Sequence, residues 1–303
     1  MRGTYTRRSA VGLGLGLLVA GVARSAAPSA PVGPASATGA ATRVPRFGSL
    51  STRADANGFL LPPGYRSRVI ARSGEVVPGT DYVFLNNPDG AGVVPRSDGG
   101  WWLLWNGEVD QGGGGVAALR FDAAGNVAAA RGVLTGLNRA CAGGVTPWGT
   151  WLSCEEVDRG TVWEVDPQST TPAAQRLAMG RFRHEAAAVD GARAAVYLSE
   201  DEPDGFFYRY RYDQAGHDLG SGVLEAALVA GDGSVTWLAV PDPGAASAQC
   251  RTQVPATTFA GGEGLCIMDG RQVFLTTKYD DHVWRYDTVT EQMDIVYQPS
   301  PGS

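Results

Sequence analysis

An all-β fold, and within that class a β-propeller, is predicted by three observations. The 303 residues include 42 glycines, 18 prolines and 8 tryptophans, with only 18% charged residues. That composition suits strands and turns and argues against coiled coil or charge-driven disorder. Four strand-like segments, WWLLWNGEV, GTWLSCEEV, AVYLSEDEP and QVFLTTKYDD, each end in polar, mostly acidic residues. Their Leu104, Leu152, Leu198 and Leu275 align at offsets of 48, 46 and 77 residues. Behind each comes a second segment, VAALRFD, TVWEVD, FFYRYRYD and HVWRYD, alternating apolar and polar before a turn-forming aspartate. Units of about 40–50 residues built from short strands are the signature of propeller blades. The long offset reads as one unit carrying an insertion, GVLEAALVAGDGSVTWLAVPDP. A β-sandwich shares the strand spacing but not this internal similarity.

The chain opens with a basic start containing adjacent Arg7 and Arg8, the apolar run from Val11 to Ala23, and the small residues Ser25-Ala26-Ala27. Residues 1–27 therefore read as a signal peptide of the twin-arginine type, the class that exports folded proteins through the twin-arginine machinery. The run is too short and too glycine-rich for a spanning helix, so no stable membrane anchor is expected. Residues 28–56, rich in Pro, Ala, Ser and Thr where they begin, read as a flexible spacer, leaving 57–303 for the propeller. The formal charge is −6, and about −10 once the four arginines of the leader are removed. That acidity excludes a nucleic-acid binder and favours cations as partners.

Upstream of each aligned leucine a small or apolar stretch begins with a distinctive residue: Asp89 in NNPDGAGVV, Cys141 in CAGGVTP, Glu185 in HEAAAV and Glu263 in GEGLCI. If these stretches are innermost strands, one thiol and three carboxylates converge at one end of the axis. Ionised together they would repel, so either their pKa values rise or cations occupy the hole. Soft thiolate with carboxylate suits a transition ion such as iron, while surplus oxygen ligands suit calcium or magnesium. Glu108, Glu155, Glu156, Glu200, Asp201, Asp204, Asp280 and Asp281 lie beyond the aligned leucines, too many for all to be ligands. Cys141 is placed at a narrow glycine turn, where metal ligation competes with a disulfide to Cys154. Four cysteines in an exported chain favour disulfides, with Cys250–Cys266 the preferred pair. His184 should face away from Glu185 if the stretch is extended, in a hydrogen-bonded structural role. His217 reads as a solvated turn residue. Lys278, the only lysine, replaces the acidic residue that the other repeats carry, which suits contact with an anion near metals.

NRACAGGVTPWGTWLSCEE (138–156), MGRFRHEAAAVD (179–190), YLSEDEPDGFFYRY (197–210) and FAGGEGLCIMDGRQVFLTTKYDDHVWRYD (259–287) resemble the PhoX-type alkaline phosphatases, over about residues 57–298. The resemblance implies an exported β-propeller phosphomonoesterase with iron and calcium at one end of the channel. It puts the iron-binding cysteine on Cys141 and carboxylate ligands on Glu156, Glu185 and Glu263, with Glu108 matching an acidic position. Asp89 completes the metal set suggested by the repeat, and Lys278 is the candidate catalytic contact to phosphate. Two departures stand out: Gly261 occupies a position where one branch of the family has arginine, and the chain stops at VYQPSPGS before a closing blade. Gly58–Glu75 is the stretch that could supply part of that blade. The expected function is metal-dependent hydrolysis of small phosphate monoesters outside the cytoplasm, with no serine or cysteine nucleophile. The alternatives are a calcium-binding propeller without turnover and a propeller hydrolase of another ester class, such as a lactonase.

Overall fold

A computed structural model describes residues 48–300. The leader 1–27 and the spacer as far as residue 47 lie outside them. Two units divide between residues 70 and 71. Residues 48–70 contain only turns and extended chain, so Gly58–Glu75 supplies no strand of a further blade. No described helix is long and apolar enough to cross a membrane.

Residues 71–300 fold into four antiparallel sheets laid down in chain order. The first holds β1 (Pro88–Pro95), β2 (Trp101–Gly107), β3 (Gly114–Phe121) and β4 (Val127–Leu137). The second holds β5 (Ala140–Val145), β6 (Trp151–Glu155), β7 (Val162–Val165) and the two-residue β8 (Ala174–Gln175). The third holds β9 (His184–Asp190), β10 (Ala195–Glu200), β11 (Phe207–Asp213), β12 (Asp218–Val229) and β13 (Val235–Ala239). The fourth holds β14 (Gly262–Met268), β15 (Gln272–Thr277), β16 (His282–Asp287) and β17 (Gln292–Tyr297). The sequence insertion forms part of β12 and the extra outer strand β13. Within each sheet the strands follow one another as a meander. The first strands are neighbours in turn, β1 beside β5, β5 beside β9, and β9 beside β14. These are the innermost strands expected from the repeat.

Cores form between successive sheets because strand side chains alternate in direction. Leu104 and Trp102 of the first sheet pack with Trp151 and Val165 of the second. Leu152 and Cys154 pack with Val196, Leu198 and Tyr208 of the third, and Tyr197 and Phe207 pack with Val273, Leu275 and Tyr286 of the fourth. The alternation corrects the leucine alignment by one residue. Leu104 and Leu152 face the sheet that follows, whereas Leu198 and Leu275 face the one that precedes; the true counterparts of Leu104 and Leu152 are Tyr197 and Phe274. A one-residue slip exchanges the two faces of a strand, and leucine suits both here because both faces are buried.

The inner strands approach closely. A Cβ on Gly144 would stand 2.2 Å from the Ala187 carbonyl oxygen on β9, so only glycine permits the spacing of β5 and β9. The Gly-Gly pair of CAGGV thus serves strand packing, and Cys141 lies within a strand instead of the expected turn.

No disulfide joins any of the four cysteines, all of which lie among the described residues. The expected Cys250–Cys266 bond is corrected by placement. Cys250 is fully buried beside sheet three, its thiol 3.5 Å from the Pro243 carbonyl, while Cys266 sits on β14 and lines a cavity with the other inner strands. Cys141 and Cys154 are likewise unbonded.

Candidate metal centre

Every inner strand carries one extra residue against its neighbour. Pro88 and Ala91 pair with Gly107 and Trp105, Ala140 and Gly143 with Glu155 and Ser153, and Gly262 and Leu265 with Thr277 and Leu275. In the third sheet His184 and Ala187 pair with Glu200 and Leu198. Each is a β-bulge, a device that re-aims a side chain at a strand end. The first bulged residues are Asp89, Cys141, Glu185 and Glu263.

A second set of equivalent residues follows from a repeated hydrogen bond. The backbone N–H just past the second strand donates to the carbonyl two residues before the bulged residue: Glu108 to Asn87 at 2.8 Å, Glu156 to Arg139 at 2.9 Å, Asp201 to Arg183 at 3.1 Å and Lys278 to Gly261 at 2.9 Å. Asn87, Arg139 and Gly261 all take positive φ, at 44°, 45° and 68°. Asparagine and glycine tolerate this region; for Arg139 it is strain held by the surrounding contacts. The structure thereby places Lys278 at the position held by Glu108, Glu156 and Asp201 in the other sheets.

The predicted residues converge. One ligand atom from each of Asp89, Glu108 and Cys141 lies within 4.8 Å of the others, and so do those of Cys141, Glu156 and Glu185. The Cys141 sulfur, 44 residues from Glu185 in sequence, is 3.3 Å from Glu185 Oε1. Cys141, Glu156 and Glu185 are each 6% exposed, while Asp89 is open to solvent. Glu263 belongs to neither triad, but its charge and that of Glu185 oppose each other, and Lys278 Nζ holds it at 2.8 Å. The same ammonium holds Asp201 Oδ2 at 2.6 Å. Arg139 pairs with Glu108 and, at 2.6 Å, with Glu156; Arg183 reaches Glu156 at 3.7 Å and Glu202 at 3.3 Å.

The electrostatics of the cluster favour a cation. Burial, then the carboxylates of Glu185, Asp89 and Glu156, push the Cys141 thiol far above its ordinary range. Burial, then Glu263 and Glu156, raise Glu185 strongly. Burial raises Asp201 against the pull of Lys278, with Glu156 adding to the rise. Asp201 Oδ1 is buried and finds no hydrogen-bond donor. A thiol, facing carboxylates and an orphaned buried oxygen fit a polyvalent cation, which would satisfy them together.

Other candidates have structural uses. Glu155 accepts from Thr161 Oγ1 at 2.8 Å and from the Asn138 N–H at 3.0 Å, and its counterpart Glu200 accepts from Tyr208 Oη at 2.8 Å and Arg251 Nη1 at 2.8 Å. Asp204 pairs with Arg251, and Asp280 accepts from Thr277. His184 is fully buried, stacks on Phe182 and bonds the Gly180 carbonyl through Nε2 at 3.1 Å, as expected. His217 is exposed, with its ring stacked on Trp148.

Sequence reasoning missed two residues that fix the cluster. Asn106, wholly buried on β2, donates to the carbonyls of Cys141 at 3.1 Å and Ala142 at 2.8 Å. It also accepts from Trp151 Nε1 and Ser153 Oγ, each at 2.9 Å. Ser199, two residues before Asp201 as Asn106 is before Glu108, donates to the Glu263 carbonyl at 2.7 Å. Each fastens the next sheet's inner strand beside its bulged residue. Their common signal was a polar residue two places before the rim position. Two residues beyond the bulged positions, Ala91, Gly143, Ala187 and Leu265 help line a cavity of about 210 Å³ shared by all four inner strands.

Successive antiparallel sheets with neighbouring first strands, and a buried thiol–carboxylate cluster at the bulged ends of those strands, define a β-propeller with a candidate metal centre. The chain belongs to the family described as alkaline phosphatase PhoX, whose profile matches residues 119–161 and 157–298, more than half of it. Among solved structures it is similar to Pseudomonas fluorescens PhoX in complex with vanadate, a transition-state analogue, at 17% identity and a TM-score of 0.54. That similarity covers 69% of this chain and 66% of that one, just under two thirds of its length, and establishes the fold. A gluconolactonase, XC5397 from Xanthomonas campestris, aligns at 13% identity over 72% of this chain and 64% of its own, with a TM-score of 0.44. The PQQ-bound aldose sugar dehydrogenase of Streptomyces coelicolor aligns at 12% identity over 76% and 69%, with a TM-score of 0.40. No curated protein matches the chain.

Proposed function

We propose that the chain is a metal-dependent phosphomonoester hydrolase acting on small soluble esters outside the cytoplasm, after export through the twin-arginine machinery. The observation that carries the reading is the convergence of the Cys141 thiol with Glu156 and Glu185, all buried, from two different sheets. Family membership supports the reaction class. Cys141, Glu156 and Glu185 would hold a transition ion such as iron, and Asp89 with Glu108 would supply oxygen ligands for calcium beside it. When bound, such cations supply charge neutralisation to a phosphoryl group and its transition state. Arg139 keeps Glu108 and Glu156 together as ligands and offsets part of their charge. Glu263 is held facing the cluster by Lys278. The Lys278 ammonium has three donors; Asp201 and Glu263 take two, which leaves one N–H for a phosphoryl oxygen. Lys278 thus fills the anion-contact role for which Gly261 offers no side chain. No seryl or cysteinyl nucleophile is needed, and Cys141 is assigned to ligation.

The test is elemental analysis of purified full chain and of Cys141→Ala, alongside release of phosphate from an aryl phosphate. Iron and calcium in the parent, loss of iron in the variant and loss of turnover with it support the proposal. Iron content indifferent to Cys141→Ala, or a fully loaded parent that releases no phosphate, would sink it; calcium alone without turnover would identify a binding module instead.

A further inference from the structure

The repeat gives each sheet two side-chain positions at the cluster, the bulged residue of the inner strand and the residue just past the second strand. In the first three sheets the second position is acidic, as Glu108, Glu156 and Asp201; in the fourth it is Lys278, on the same backbone hydrogen bond. The ammonium lies between carboxylates of two sheets, 2.6 Å from Asp201 Oδ2 and 2.8 Å from Glu263 Oε1. Its stem passes close to Gly261, where an added Cβ would stand 2.8 Å from Lys278 Cγ and 2.5 Å from the Tyr279 ring. Asp201 is 7% exposed, and its other oxygen, Oδ1, has no donor. Two carboxylates bridged by a cation, one of them with a buried oxygen that no donor satisfies, form part of a divalent-cation site. The centre of that site is taken by a side chain.

We propose that Lys278 is a built-in cation that fills the position of a divalent ion between the third and fourth sheets. The wild-type chain therefore holds one inorganic cation fewer than its repeated geometry can accommodate. Removing the ammonium frees Asp201 and Glu263 for a hard divalent ion such as Ca²⁺, which favours oxygen donors and tolerates irregular geometry. A carboxylate at position 278 restores the donor type of the other three sheets. This inference rests on the reading of Cys141, Glu156 and Glu185 as a metal centre and extends it to the adjoining Asp201, whose carboxylate lies against Glu156.

The experiment counts metal. Parent, Lys278→Glu, Lys278→Met and Lys278→Arg are equilibrated with calcium, and bound ion per chain is read by elemental analysis and calorimetric titration. Circular dichroism confirms folding. Lys278→Glu is expected to bind about one more calcium per chain than the parent. Lys278→Met should gain the same site with weaker affinity, because it removes the charge and adds no ligand; Lys278→Arg should keep the parental count. If Lys278→Glu does not fold, Lys278→Met carries the test. An unchanged or lower count in the folded variants overturns the inference, as does a gain in Lys278→Arg. The two readings fail separately. A parent without metal removes the proposed centre. A parent whose ion disappears in Cys141→Ala, with no gain on changing Lys278, removes only the role of the lysine.

Discussion

Replacing Asn106 by alanine should destabilise the protein and loosen the cluster at once, although Asn106 touches no proposed ligand side chain. The amide makes four hydrogen bonds while fully buried: two to the Cys141 and Ala142 carbonyls, two from Trp151 and Ser153. Truncation leaves an indole N–H, a hydroxyl and two carbonyls short of a partner, in a void large enough for about one water molecule. Each orphaned buried group costs about 1–3 kcal/mol, and a water or a rotated hydroxyl recovers part of the total, so the loss should be about 2–5 kcal/mol. Against a typical domain stability of about 5–15 kcal/mol this is readily measured. Urea unfolding of metal-free protein should show a lower midpoint with an unchanged slope. Metal affinity should fall in parallel, because the carbonyl that fixes Cys141 has lost its donor. Asn106→Asp should be no better than alanine, since it keeps the acceptor but points a new anion at two carbonyls. A loss below about 1 kcal/mol with unaltered metal affinity would refute the assignment.

Three further outcomes are expected. Burial pushes the His184 pKa down to about 3, against the weaker opposing pull of the Gly180 carbonyl. The unfolded chain therefore takes up a proton as pH falls below about 6.5 and the folded one does not until about 3, so stability falls on acidification by up to about 1.4 kcal/mol per pH unit in that window. His184→Gln should remove that part of the slope in parallel denaturation series, and equal slopes would contradict it. Ellman titration in denaturant without reductant should count four thiols; a count of two would mean a disulfide. In native protein at pH 8 Cys250 should remain unreactive, its pKa pushed up to about 11 chiefly by burial. Gly144→Ala should cost about 1–3 kcal/mol or more, read as a lower Tm, because its Cβ meets backbone and not a side chain that could swing away. An unaltered Tm would show that β5 and β9 can part freely.

The repeat and the inner strands that carry Asp89, Cys141, Glu185 and Glu263 were legible because each unit carries a recognisable second strand, and side chains opposite in register must share a neighbourhood. Glu108 and Glu156 stood out from the other rim carboxylates only through the family resemblance, and Asp201 did not stand out. The bulges were not legible. One extra residue leaves no mark on composition, yet it decides that Asp89, Cys141, Glu185 and Glu263 share a direction. The leucine alignment slipped by one residue for a related reason: buried on both faces, β6 and β10 show no polar alternation to fix their phase. The fourth strands escaped notice, since β8 has only two residues and β17 exposes Ile295, Val296 and Tyr297, so neither shows a buried pattern. The disulfide expectation rested on counting cysteines, which says nothing of where their Cα atoms fall. Asn106 and Ser199 were hidden because a polar residue inside a strand reads as a solvent-facing position until its partner strand is known.

The bulge and the repeated hydrogen bond set the eight backbone positions around the cluster before any side chain is chosen. They act as interchangeable sockets, two in every sheet. Sulfur, carboxylate and ammonium already occupy them in one polypeptide without disturbing the ladder that holds them. A single substitution can therefore rewrite the charge and hardness of one socket while its neighbours keep theirs, and the chemistry of such a ring can diversify far faster than its architecture.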